Sequence, residues 1–181
     1  MVRTLALGFV TLAFIAQAGH AAELVRGVRM KISAGDLATG IAQIEDHRKI
    51  SGVDAEYLDA VGWLARGAEM LNRPELARQF VAELRNAIRS ETPELLVPLG
   101  AAIEVQAKMT AANDGRGAAI RFLERELAAA QAPALRSRIN KNINLLSLEG
   151  QPAPPIEGFV DSSRRKPMLM FFWAEWCGDC K

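Results

Sequence analysis

The sequence predicts a mainly α-helical protein, in which a helical-hairpin or repeat-like domain precedes the truncated start of an α/β domain. Half of the 181 residues are hydrophobic but only 6% are aromatic. Apolar residues recur at helical spacing over the middle of the chain, and Gly, Pro and Asn mark the breaks between these stretches. A proline-rich segment and a continuous apolar run follow, which is typical of a linker and a buried strand.

Composition excludes several classes of protein. The formal net charge is +1 and the charges are interspersed, so no nucleic-acid surface is expected. Two cysteines are too few to cross-link the whole chain, but they suffice for one local redox pair. Cys177, Cys180 and His47 are the only thiol and imidazole donors beyond residue 22, too few for a closed zinc site. We therefore expect no metal and no organic cofactor.

Residues 1–22 are predicted to be a secretory signal peptide. Arg3 precedes a charge-free stretch from Thr4 to Ala22, and small residues close it. The short apolar core favours a cleaved signal over an uncleaved membrane anchor, which would need about 20 apolar residues. With either alternative we expect an exported protein, periplasmic or otherwise extracytoplasmic, where a thiol pair can be oxidised.

Residues 23–149 are predicted to form a helical domain. Residues 24–32 are expected to be an irregular lead, with Ser33 as the first helix cap. Later helices are separated by typical helix-ending segments. These segments are Ser51-Gly52, Asn72-Arg73-Pro74, Thr92-Pro93, Asn113-Asp114-Gly115 and Ala132-Pro133. His47 is expected on a solvated helix face, and Tyr57 and Trp63 in an apolar stripe.

The helical domain contains two short segments that are weakly similar in sequence. Residues 77–81, Ala-Arg-Gln-Phe-Val, are similar in placement to residues 119–123, Ala-Ile-Arg-Phe-Leu. This resembles the helix-pair repeats of the tetratricopeptide class, in a degenerate form and at a longer spacing. An ordinary antiparallel bundle remains the alternative, because a solenoid needs about three repeats. Both alternatives predict a scaffold or an interaction module with a protein partner.

A second domain is predicted over residues 150–181. Gly150-Gln-Pro-Ala-Pro-Pro155 ends the helical pattern, because prolines remove backbone donors and fix the backbone. Residues 156–160 are expected to form a short strand. Met168–Phe172 is continuously apolar and is expected to be a strand covered on both faces.

The strand pattern leads into Cys177-Gly178-Asp179-Cys180. A Cys-x-x-Cys at this place indicates a thiol–disulfide redox centre. One sulfur attacks a substrate disulfide, and the second lies near enough to resolve the mixed disulfide. A helix beginning at Cys177 would favour its thiolate.

Residues 172–181, Phe-Trp-Ala-Glu-Trp-Cys-Gly-Asp-Cys-Lys, closely resemble the active-site segment of thioredoxins. The upstream Gly-Gln-Pro-Ala-Pro of residues 150–154 resembles the entry to exported thioredoxin-like proteins of the TlpA type. The resemblance implies a thioredoxin-like domain with Cys177 as attacking thiolate and Cys180 as resolving thiol. It also implies that Trp173 packs under the loop and that Trp176 flanks the pair.

The segment departs from the thioredoxin pattern at two positions. Asp179 stands where thioredoxins usually have proline, and its charge opposes the thiolate although it suits a first helical turn. Phe171 stands where the resemblance implies a buried acid. The redox direction therefore stays open. We also expect the chain to be an N-terminal fragment, because the later strands and the cis-proline loop do not follow.

The leading functional prediction is an exported thiol–disulfide oxidoreductase acting on protein thiols and disulfides. We expect this activity in the full-length parent rather than in this chain alone. The alternative is a helical-repeat interaction module with a non-catalytic tail. A membrane association is expected only if the signal segment stays uncleaved.

Overall fold

The computed structural model describes residues 23–148 and 150–152. The chain divides into two units, Met1–Glu149 and Gly150–Lys181, and the fold that follows is that of the first. The predicted signal segment and the predicted strands of the second domain lie outside the described residues. These assignments therefore stay predictions.

The described part of the chain is mainly α-helical, as predicted. A short 3-10 turn, Pro93–Leu95, leads into the longest helix. The α-helices are α1 (23–33), α2 (Leu37–Ser51), α3 (Ala55–Met70), α4 (Pro74–Ala87), α5 (Leu96–Asp114), α6 (Arg116–Ala129) and α7 (Pro133–Leu148).

Helix α1 occupies the region expected to be irregular, so that expectation was wrong. Val28 is fully buried, and Leu24 and Ile32 pack against the same core. These three residues are spaced four apart and form one apolar helical stripe. The burial of this stripe outweighs the low helix propensity of Gly27.

The first predicted cap was also misplaced. Ser33 is the last residue of α1, and its hydroxyl donates to the carbonyl oxygen of Arg29 at 3.0 Å. Asp36 caps α2 instead, because its Oδ1 accepts from the Thr39 amide at 3.0 Å. Asp54 caps α3 in the same way, accepting from the Tyr57 amide at 2.8 Å.

The helices pack as two layers. Each helix contacts the next one along the chain, and α5 also contacts α3 and α7. Helix α1 reaches α3 through Ile32, which lies beside Gly67. Within the described residues the backbones of α2 and α4, and those of α4 and α6, do not pack together, although Arg85 of α4 forms an ion pair with Glu126 of α6 at 2.8 Å. The odd-numbered helices therefore form one layer, and the even-numbered helices cover its other side.

The even-numbered helices share a burial pattern, which extends the similarity between residues 77–81 and 119–123 to α2. Each has a buried small residue at its fourth position and a large buried apolar residue four positions later, which faces the odd layer. The small residues are Gly40, Ala77 and Ala119, and the large ones are Ile44, Val81 and Leu123.

One helical stretch in the described residues, Pro93–Asp114, is long and apolar enough to cross a membrane by length and composition alone. Its apolar residues have partners within the protein, because α5 packs against α3, α4, α6 and α7. Ala102 and Val105 belong to the core shared with α3, and Ile103 and Ala107 to the core shared with α6 and α7. These contacts account for its composition as that of a central core helix.

We predict that Gly67→Ala destabilises the protein although alanine is the better helix former. A β-carbon at Gly67 would lie 2.8 Å from Cγ2 of Ile32, so either the Ile32 side chain or α1 must shift. Overpacking of this kind costs about 1–3 kcal/mol, against about 1 kcal/mol gained in helix propensity. Denaturant unfolding monitored by circular dichroism measures the change.

Gly117→Ala in α6 is the matched control. Its β-carbon would meet only Nη1 of Arg121, the far end of a flexible side chain, at 3.4 Å. We expect this variant to raise the free energy of unfolding by roughly 0.4–1 kcal/mol. Equal changes in the two variants would contradict the close packing of α1 on α3.

Candidate functional site

The predicted redox residues lie outside the described part of the chain. Their predicted roles rest on the sequence alone. They are Cys177 and Cys180 with the flanking Trp173, Trp176, Gly178 and Asp179. Among the described residues, the most extensive polar cluster lies on the layer of odd-numbered helices.

We call this cluster the odd-helix surface. Its charged side chains are joined by ion pairs, cation–π contacts or electrostatic interactions across α1, α3, α5 and α7. The surface comprises Arg29, Asp59, Trp63, Arg66, Glu69, Glu104, Lys108 and Arg138.

Two guanidinium groups contact the ring of Trp63. Cζ of Arg29 is 4.4 Å from the ring centroid, and Cζ of Arg66 is 5.1 Å from it. Such contacts contribute roughly 0.5–2 kcal/mol each, depending on how far they are desolvated. The indole therefore ties α1 to α3 and holds both cations in fixed positions.

Glu104 on α5 joins the cations of three helices. Its Oε2 accepts from Nε and Nη2 of Arg66, both at 3.2 Å, and lies 4.0 Å from Nη2 of Arg138. Lys108 lies 4.0 Å from Oε1 of Glu104 and pairs with Glu69 at 3.1 Å. The side chains of Arg66 and Glu104 are only 11% and 20% exposed, so this pair is largely desolvated.

Arg138 reaches this cluster because α5 has a glycine beneath it. A β-carbon at Gly100 would lie 2.7 Å from Cδ of Arg138. Burial and the neighbouring Arg66 lower the pKa of the Arg138 guanidinium, which Glu104 and Asp59 partly offset. The guanidinium stays charged, since even a lowered arginine pKa lies far above neutrality.

Asp59 is the member of the odd-helix surface with a buried polar atom, Oδ1, that lacks a hydrogen-bond partner within the described residues. Burial raises the pKa of its carboxyl group, although the charges of Arg66, Arg138 and Arg29 act to lower it. The surface thus holds a buried acceptor beside three cations, an arrangement suited to binding polar groups rather than to covalent chemistry.

A large groove among the described residues has fewer polar groups than the odd-helix surface. It measures about 730 Å³ and lies between the first turns of α2 and α4, lined by Leu37, Ile41 and Leu76 among others. Its two carboxylates have other partners, since Asp36 caps α2 and Glu75 pairs with Arg78. No catalytic group converges there.

His47 departs from its expected solvated position. Its imidazole is only 17% exposed, and Nε2 lies 3.0 Å and 3.1 Å from the two carboxylate oxygens of Asp54. Tyr57 is in the core, as predicted, and its hydroxyl donates to Glu83 at 2.6 Å. Trp63 is only partly buried, since one side faces the arginines.

The sequence contained a signal for the odd-helix surface that the prediction missed. Asp59, Trp63 and Arg66 follow an i, i+4, i+7 pattern, which places them on one face of α3. Glu104 and Lys108 repeat the four-residue spacing on α5. Their pairing across helices depends on the packing of α3 on α5, which the local pattern does not specify.

No protein-family model matches this chain, and neither a curated protein nor a solved structure shows significant similarity to it.

We predict that Asp59→Asn raises the free energy of unfolding at pH 7. Because the pKa of Asp59 is higher in the folded protein, the folded state binds this proton more tightly than the unfolded state. Its contribution to stability therefore falls as pH rises from about 3.9, the unfolded value, through the folded pKa. The variant mimics the neutral acid and avoids this loss.

Denaturant unfolding between pH 3 and pH 8 tests whether Asp59→Asn raises or lowers the free energy of unfolding. The two proteins should converge below about pH 3.5, where both carry a neutral group. The exposed Glu124→Gln is the control and should show no comparable change with pH. A lower stability of Asp59→Asn at pH 7 would show that the arginines outweigh the burial of the carboxylate.

Proposed function

We propose that this chain belongs to an exported thiol–disulfide oxidoreductase that exchanges a Cys177/Cys180 dithiol with protein disulfides. The observation that carries the proposal is the segment Trp-Cys-Gly-Asp-Cys-Lys, residues 176–181, placed directly after a buried-strand pattern. Its thioredoxin-like character and the signal-like residues 1–22 are consistent with each other, because a redox-active disulfide functions in an oxidising compartment.

The proposed reaction needs no metal or organic cofactor. The Cys177 thiolate attacks one sulfur of a substrate disulfide, and the other substrate sulfur leaves as a thiolate that takes a proton. The Cys180 thiolate then attacks Cys177 and releases the second substrate sulfur. The substrate gains two electrons and the Cys177–Cys180 pair becomes a disulfide. The reverse sequence oxidises a substrate dithiol.

We predict that only one of the two cysteine variants of the full-length parent protein accumulates a mixed disulfide with its substrate. Cys177→Ser should abolish reduction of insulin disulfides, because the attacking thiolate is missing. Cys180→Ser should also lose turnover but accumulate a mixed disulfide with its substrate, because the resolving thiol is missing. A turbidity assay and non-reducing electrophoresis measure the two outcomes. Activity that survives in Cys177→Ser would refute the proposed role.

A second proposal concerns the helical domain, which we infer to be a protein-interaction module built as a stack of tetratricopeptide-like helix pairs. Three observations favour it: the packing of successive helices on each other with α5 also on α3 and α7, the recurring buried positions of the even-numbered helices, and the polar odd-helix surface. A stack of this kind presents one extended face. A partner protein would bind there.

We predict that Arg29→Gln raises KM for a protein disulfide and leaves the rate with a small aromatic disulfide unchanged. Arg29 is exposed and contributes a cation to the odd-helix surface. Loss of one interfacial charge contact typically weakens binding about 2–10-fold.

The matched control is Arg125→Gln, which removes the same charge from an exposed position on α6. It should leave both rates unchanged. Equal effects of the two variants would assign the change to net charge and would contradict a specific contact on the odd-helix surface.

A further inference from the structure

A second polar cluster lies where α2 meets α3, apart from the odd-helix surface. It contains His47 from α2 and Asp54 and Glu56 from the beginning of α3. One ligand-type atom of each residue lies within 4.8 Å of the others. From this geometry we propose that these residues bind a single divalent cation of the Zn²⁺ class.

The distances fit one shared ion. Zinc bonds to imidazole nitrogen and carboxylate oxygen are about 2.0–2.2 Å long, so tetrahedral ligands lie roughly 3.3 Å apart. His47 Nε2 and Asp54 Oδ2 are already 3.0 Å apart. The Glu56 carboxylate lies within 4.8 Å of both atoms and would exchange its present interaction for the ion, and water completes the fourth position.

The donor set also fits in charge and type. A neutral imidazole and two carboxylates supply two negative charges to a doubly charged cation, and nitrogen with oxygen donors suits zinc. The nearby cations of α2 have other carboxylates as partners, since Lys49 pairs with Asp46 at 2.8 Å and Arg48 lies 4.0 Å from Glu45. The partial positive charge at the start of α3 opposes a cation by under about 1 kcal/mol, far less than two carboxylates contribute.

The fold holds the ligands in place through its own hydrogen bonds. Asp54 Oδ1 accepts from the Tyr57 amide at 2.8 Å, which orients the carboxylate and leaves Oδ2 directed at His47. This capping hydrogen bond holds Asp54, a proposed metal ligand, in one orientation, as hydrogen bonds to metal ligands commonly do. Because the His47–Asp54 hydrogen bond and the ion use the same atoms, binding replaces that bond and stiffens the α2–α3 connection.

The test is a zinc titration of the tag-free, chelator-treated full chain in which Cys177 and Cys180 are both replaced by serine. The double replacement removes the thiols, which themselves bind zinc. We expect one bound ion per chain by calorimetry, a higher melting temperature with zinc, and a shift of the His47 ring signals in NMR. His47 is the only histidine besides His20, so its ring is readily assigned with a His20→Gln reference.

Three variants then identify the ligands. His47→Gln, Asp54→Asn and Glu56→Gln should each weaken zinc binding at least about 10-fold, since even outer-shell changes cost 10–100-fold. Asparagine keeps the helix cap, so Asp54→Asn separates metal binding from folding.

The control is Asp46→Asn, which removes the same charge from a carboxylate that pairs with Lys49. Its zinc affinity should stay within about twofold of the parent. The proposal is overturned if the parent shows no saturable zinc binding below 1 mM (about the weakest affinity of a specific site). It is equally overturned if the His47 variant binds as the parent does, or if Asp46→Asn weakens binding as much as Asp54→Asn.

Discussion

The structure depends on the close approach of other helices to α3, which small residues make possible. A β-carbon at Gly62 would lie 3.1 Å from Cβ of Ala101 on α5, and one at Gly67 would lie 2.8 Å from Ile32 on α1. Gly40 on α2 packs against Leu64 of α3 with a similar spacing, 3.1 Å from its β-carbon position to Cδ2. These short separations bring α1, α2 and α5 close to α3, and α4 also packs on it. The apolar residues of α3 are buried among these helices, which favours folding.

The same packing creates the odd-helix surface. Arg66 and Glu104 are 38 residues apart in the sequence and pair only because α3 lies on α5. Their pair is largely shielded from water, so its net contribution to stability is small, whereas removal of one partner leaves a buried charge and costs about 3–5 kcal/mol. The pair therefore specifies how α3 and α5 are aligned more than it strengthens their contact.

The predictions from sequence were correct for features that depend on residues close together in the chain, such as helix ends. Asp54, Pro74 and Gly115 mark helix ends in the structure, because caps, first-turn prolines and glycines act within a few residues. The helix at residues 23–33 was missed because its stripe of Leu24, Val28 and Ile32 gains its free energy from burial against other helices. The environments of His47 and Asp59 were missed for the same reason, since both depend on neighbours from other helices. The predicted redox motif is the opposite case, because that prediction uses only residues that are adjacent in the sequence and requires no contact between helices.

Two buried polar atoms of α3 differ in whether the fold provides them with a hydrogen-bond partner. The Tyr57 hydroxyl donates to Glu83, so its burial, which raises the pKa of the phenol, leaves no donor unsatisfied. The Oδ1 atom of Asp59, two residues further on, has no hydrogen-bond partner within the described residues, and burial of the carboxyl group disfavours its ionised form. A donor from a bound protein would satisfy this atom and recover the cost of its burial. In the proposed role of the odd-helix surface, the free energy gained from a partner would therefore be centred on Asp59 rather than on the exposed charges at its edge.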